Sequence, residues 1–160
     1  MLSTQSFVLL AAFISLSATP ITARAATPSA DLKIENTRAY LPMKGGRATA
    51  GYAELKNEGG SDAQVSVISA DGFKAAELHE TFETDGKMGM RKIDHVTVKP
   101  KAQDSLVPGG KHIMLFDPTR EFKEGETIEL TLKVNDTTRK VAFKMVPRVP
   151  KEMKGTEHKH

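Results

Sequence analysis

Four side chains carrying soft or borderline metal-donor atoms fall in one stretch of the chain: His79, Met90, His112 and Met114. Ten residues separate the first from the second, 21 the second from the third, and Ile113 alone the third from the fourth. Two imidazoles with two thioethers make a donor set suited to Cu(I), because thioether sulfur is soft and a poor match for zinc, calcium or magnesium. The chain has no cysteine. A thiol beside copper in an oxidising compartment would be oxidised or crosslinked, whereas a thioether has no proton to lose and forms no disulfide.

Methionine in a β protein is more often core filler than ligand, so placement has to support the chemistry. In an extended strand His112 and Met114 project from one face while Ile113 and Leu115 project from the other. Between His79 and Met90, the segment Glu83-Thr84-Asp85-Gly86-Lys87 reads as a hairpin with Asp85-Gly86 at its tip. With those two as the turn residues, Thr84 faces Lys87 and His79 faces Lys92. Met90 then lies diagonally across from His79 on the same face, about 7–8 Å away between backbones. A one-residue change of register would put the two on opposite faces. Met88 shares the face of Met90 and is a spare, either a shield or a substitute ligand, outside the set. His95 follows Asp94 in a turn and reads as solvated.

The elements that must position these residues are short strands. Period-two runs occur at Leu32–Ile34, Ala53–Lys56, Gln64–Ile68, Ala76–Phe82, Met88–Ile93, Val96–Val98, Ser105–Val107, His112–Phe116, Ile128–Val134 and Lys140–Val146, punctuated by Gly, Pro and Asn. About ten such strands predict an all-β sandwich or barrel. No sustained 3.6-residue stripe is present, and the one helical turn expected is at Asp117–Phe122.

The pattern H-x10-M-x21-H-x-M, set in Glu77-Leu78-His79-Glu80 and Pro108-Gly109-Gly110-Lys111-His112-Ile113-Met114-Leu115, resembles the PCu(A)C family of periplasmic copper chaperones. Similarity runs from about Leu32 to Val146 through Gly51-Tyr52, Lys56-Asn57, Phe122-Lys123-Glu124-Gly125 and Ile128–Val134. Members often carry methionine directly after the first histidine; here that position is Glu80, and no fifth ligand is assigned. The resemblance implies a cupredoxin-like Greek-key β-barrel or sandwich with Cu(I) at His79, Met90, His112 and Met114. It also implies the Cu(A) subunit of cytochrome c oxidase and Sco-type copper proteins as partners.

Residues 1–25 read as a cleaved signal peptide, with the apolar core Phe7–Leu16 and the small-x-small site Ala23-Arg24-Ala25. The apolar run breaks at Thr19-Pro20, short of the about 20 residues that span a bilayer, so no stable membrane insertion is expected after cleavage. A periplasmic location follows. Cleavage would leave a β domain at residues 26–146 and a tail at 147–160. Of the 160 residues, 23 are Lys or Arg and 20 Asp or Glu, a net charge of +3 that falls to +2 once Arg24 is removed. So small and interspersed a charge argues against nucleic acid. The tail, rich in charge and proline, holds Met153, His158 and His160, a possible second metal site better suited to Cu(II) because imidazole dominates it.

An enzyme is not expected. A blue-copper centre needs a cysteine, a dismutase needs more histidines, and no serine or carboxylate pair stands in a catalytic arrangement. Two alternatives remain: a copper-sequestering resistance protein, and a metal-free structural or adhesion sandwich whose methionines are core.

Overall fold

The computed structural model describes residues 30–148. The leader expected at 1–25 and the tail donors Met153, His158 and His160 lie outside them. Ten strands make up the regular structure: β1 (Leu32–Tyr40), β2 (Ala48–Asn57), β3 (Ala63–Ala70), β4 (Phe73–Thr84), β5 (Lys87–Ile93), β6 (Val96–Val98), β7 (Gln103–Leu106), β8 (Lys111–Pro118), β9 (Thr127–Val134) and β10 (Thr137–Val146). Each period-two run corresponds to one of them.

Their spatial order is β5-β4-β8-β2-β1-β10-β9-β3-β6. Strand β2 is shared along its length, its first half pairing with β8 and its second half with β7. All ladders are antiparallel except β1 with β10. The sheet curls so that one face of nearly every strand meets in a common core, with Leu55, Ile113, Leu115, Ile128, Leu130, Leu132, Phe143 and Met145 at most 2% exposed. Burying each such aliphatic side chain is worth about 1.5–3 kcal/mol. With no disulfide, this packing carries the fold.

One turn positions the site. Asp85 (φ 51°) and Gly86 (φ 72°) both occupy the left-handed region, as a type I′ hairpin turn requires, and the β4–β5 register follows from it. Thr84 faces Lys87, Thr81 faces Met90 and His79 faces Lys92. At the other end of the domain Asn57, 1% exposed, holds the 57–61 turn: its Nδ2 donates to the carbonyls of Ser61 and Val98, and its Oδ1 accepts from the Gly59 N–H.

The helical turn expected at Asp117–Phe122 is not formed. Strand β8 runs on to Pro118 and a bend follows. The backbone N–H groups of this stretch go sideways instead of along the chain, Asp117 donating to the Arg47 carbonyl and Thr119 to that of Gly72. Arg47 and Arg120 then pin the bend by ion pairs, Arg47 with Asp117 and Arg120 with Asp71 and Glu126.

Candidate metal centre

Strands β5, β4 and β8 lie side by side, and the four donors come from one face of this three-stranded patch. His79 stands directly across from His112 in the β4–β8 ladder, and Glu77 across from Met114. Leu78, Ile113 and Leu115, 3% exposed or less, alternate onto the opposite face and enter the core. The parity expected for β8 and for the hairpin is therefore observed, and the four positions share one face.

His112 is 7% exposed. Its Nδ1 lies 2.9 Å from the Gly110 carbonyl, and its Nε2 lies 3.2 Å from Met90 Sδ. A carbonyl only accepts, so Nδ1 carries the proton and, in the neutral ring, Nε2 presents a bare lone pair. Thioether sulfur also offers lone pairs. Two electron-pair donors thus face each other at 3.2 Å. A nitrogen and a sulfur bound to one tetrahedral ion, at bond lengths of about 2.0 and 2.3 Å, sit about 3.5 Å apart, so the pair is within a few tenths of an ångström of a chelating arrangement.

His79 uses its nitrogens in the reverse sense. Nε2 donates to Glu77 Oε2 at 3.0 Å, while Nδ1 is buried and has no partner. Leaving a buried polar atom unpaired costs on the order of 1–3 kcal/mol, and such an atom in a native site calls for an ion or water to satisfy it. The His79 and His112 rings are 6.2 Å apart between centroids, and Phe116 packs 6.0 Å from His79 on the same face. Met114, half-buried, stands across from Ala50 on β2.

Glu77 was not assigned a role from the sequence. It sits two residues before His79, on the same strand face, and its second oxygen accepts from Lys92 Nζ at 2.8 Å. The Lys92 ammonium first, and the His79 imidazole second, hold its carboxyl below the usual range. The signal was available: an i, i+2 carboxylate beside a candidate ligand histidine, with a lysine opposite that histidine across the hairpin. Such carboxylate-to-imidazole contacts fix ring orientation and raise ligand basicity in metal sites.

Other candidates fall away from the centre. Glu80 alternates to the opposite face and pairs with Arg91 at 2.8 Å. His95 is exposed. Among the described residues no three His, Asp or Glu side chains gather as a metal-binding group. The surface hollow between Pro42–Arg47 and Asp117–Phe122 holds none of the four donors.

The LpqE-like family model, described as "Putative lipoprotein LpqE-like", matches residues 32–145. The chain belongs to the LpqE-like family. It is 30% identical over 94 residues to an uncharacterized protein of Rickettsia prowazekii, covering 58% of this chain and about half, 52%, of that protein. Among solved structures, the copper-bound PCuAC domain from PmoF2 superposes with a TM-score of 0.60 at 17% identity, over 77% of this chain and all of that domain. The CuI form of DR1885 from Deinococcus radiodurans gives a TM-score of 0.57 at 26% identity, over 80% of this chain and 85% of that one. The LpqE-like fold seen here is thus the cupredoxin-like fold of PCuAC domains, and the resemblance drawn from the histidine and methionine spacing holds at the level of family and architecture.

Proposed function

We propose that this LpqE-like protein is a periplasmic copper chaperone that binds one Cu(I) through His79, Met90, His112 and Met114 and passes it towards the Cu(A) centre of cytochrome c oxidase. The observation that carries the proposal is the His112 Nε2 to Met90 Sδ approach of 3.2 Å, a nitrogen and a sulfur turned on each other and separated nearly as ligands of one ion would be. The partnerless, buried His79 Nδ1 supports it, as do the copper-bound and CuI forms of the two solved relatives. Two sulfurs favour the cuprous ion, which is also the state that transfers by ligand exchange without redox chemistry. Export accords with a family described as lipoprotein-like.

Copper is cargo in this reading, and the donor set lacks the thiolate of an electron-transfer centre, so a carrier role fits better than an enzymatic one. Delivery rests on ligand exchange at a site near the sheet edge, where Met90 is 54% exposed. The tail donors Met153, His158 and His160 would add a weaker Cu(II) site.

The test is Cu(I) titration with X-ray absorption on the loaded protein. One Cu(I) per chain, with both nitrogen and sulfur scatterers, is expected. The Met90→Leu, Met114→Leu double variant keeps the apolar volume and should fold while losing sulfur scattering and affinity. Unchanged affinity in that variant would sink the site. Transfer from the loaded protein to a purified Cu(A) domain distinguishes delivery from sequestration, and truncation after Val146 should remove Cu(II) capacity while leaving the single Cu(I).

A further inference from the structure

The donors are graded in depth. His112 is 7% exposed and the His79 side chain 16%, while Met90 is 54% exposed and Met88 64%. Strand β5, which carries both methionines, is the last strand at its end of the sheet. On the far side the site is closed by β8 against β2 and by Phe116 beside His79. The open side of the centre is therefore the β5 edge.

Met88 is not core filler, since it lies on the protruding hairpin where residues 82 to 88 are all exposed. Phe82, the nearest large apolar side chain on that hairpin, faces Gly89 and so belongs to the opposite face. Met88 and Met90 are consecutive on the metal face, about 6.6–6.8 Å apart along the strand, a gap that two flexible thioethers can close onto one ion. In a two-residue hairpin Thr84 and Lys87 exchange the first hydrogen bonds, so Met88, Met90 and Lys92 are the residues whose backbone groups turn outward to the free edge. An approaching protein that supplies a soft donor thus meets Met88 first.

We propose that Cu(I) enters and leaves across β5 with Met88 as a relay ligand. The inference rests on the Cu(I)-binding reading above and adds a route to it. In the relay step the bond from copper to Met114 Sδ breaks as a bond to Met88 Sδ forms, with Met90 Sδ retained as the shared ligand. The ion moves towards the edge, remains Cu(I), and neither proton nor electron is transferred. A thiolate or thioether of the acceptor then displaces the imidazoles.

The full chain loaded with one Cu(I) tests this, with bicinchoninate as both the competing chelator at equilibrium and the acceptor in stopped flow. Met88→Leu should leave affinity within about twofold of the parent while slowing release roughly tenfold, the factor for about 1.4 kcal/mol of lost transition-state contact. Because affinity is unchanged, loading must slow by the same factor, which a merely structural effect would not produce. Sulfur scattering at equilibrium should be unaltered. If Met90→Leu loses affinity but Met88→Leu changes neither rate, the relay is refuted and the binding site stands. A Met88→Leu affinity loss equal to that of Met90→Leu makes Met88 a resident ligand and also refutes the relay. Full affinity in Met90→Leu removes the site and the relay together.

Discussion

Replacing Glu77 probes how the centre is held ready for metal. The carboxylate bridges two groups, accepting from His79 Nε2 at 3.0 Å and from Lys92 Nζ at 2.8 Å, and it is 30% exposed. As a partly solvated ion pair it contributes little to stability, about 0–1 kcal/mol. As the partner that fixes the ligand tautomer and ring angle it is worth more: loss of such a group costs about 10- to 100-fold in metal affinity, or about 1.4–2.8 kcal/mol. The two effects separate cleanly. Glu77→Ala should unfold within about 1 kcal/mol of the parent in urea yet bind Cu(I) at least tenfold more weakly in bicinchoninate competition. Glu77→Gln keeps an acceptor for the imidazole N–H and gives up the charge, so its affinity should fall between the two. Parent-like affinity in Glu77→Ala would refute the view that this carboxylate prepares His79.

Three further outcomes are expected. Long-range proton–nitrogen NMR of the metal-free protein should show His79 protonated on Nε2 and His112 on Nδ1, because their partners are the Glu77 carboxylate and the Gly110 carbonyl; the same tautomer in both rings would contradict this. Asn57→Ala strands the Ser61 and Val98 carbonyls and the Gly59 N–H, so the urea midpoint should drop by the equivalent of on the order of 3 kcal/mol without change in Cu(I) affinity. Lys33 and Lys56 hold the Glu58 carboxyl down to about 2. A depressed folded-state value stabilises the protein above the unfolded value of 4.5, and the contribution is lost as pH falls towards 2, so carbon NMR should find Glu58 still ionised at pH 3.5, between the two values.

Which parts of this structure could be read from the sequence depends on whether the determining interaction is local. The β4–β5 register could be, because Asp85-Gly86 admits one two-residue turn and everything up to His79 and Lys92 counts back from it. The lengths of β1, β2 and β4 could not. Strand β2 begins at Ala48, not Ala53, since Thr49, Ala50, Gly51, Tyr52 and Ala53 are all buried, and a strand covered on both faces shows no alternation. Strand β1 continues to Tyr40 past an irregularity between Glu35 and Arg38, where Asn36 takes φ 51° and breaks the period. The missing helical turn after Asp117 has the same origin: its backbone partners, Arg47 and Gly72, lie on other loops. Pairing of β4 with β8 is also non-local, and only the family resemblance implied that His79 and His112 share a site.

Core packing and site geometry are enforced by a single constraint. In β8, Ile113 and Leu115 are fully buried, and His112 and Met114 are the residues left for the other face. Slipping β8 by one residue against β4 would drive an imidazole and a thioether into the core and place two aliphatics where the donors now meet. That slip forfeits about 1.5–3 kcal/mol for each aliphatic exposed and adds the cost of burying imidazole nitrogens without partners. The opposition of His79 to His112 is thus set by side chains on the core face of the sheet. Met90 has no comparable support, for β5 carries no fully buried residue and is joined to the sheet through β4 alone. Three of the candidate donors are fixed by the sheet and one rides on a hairpin arm, which suits the proposed role of a carrier that releases its ion.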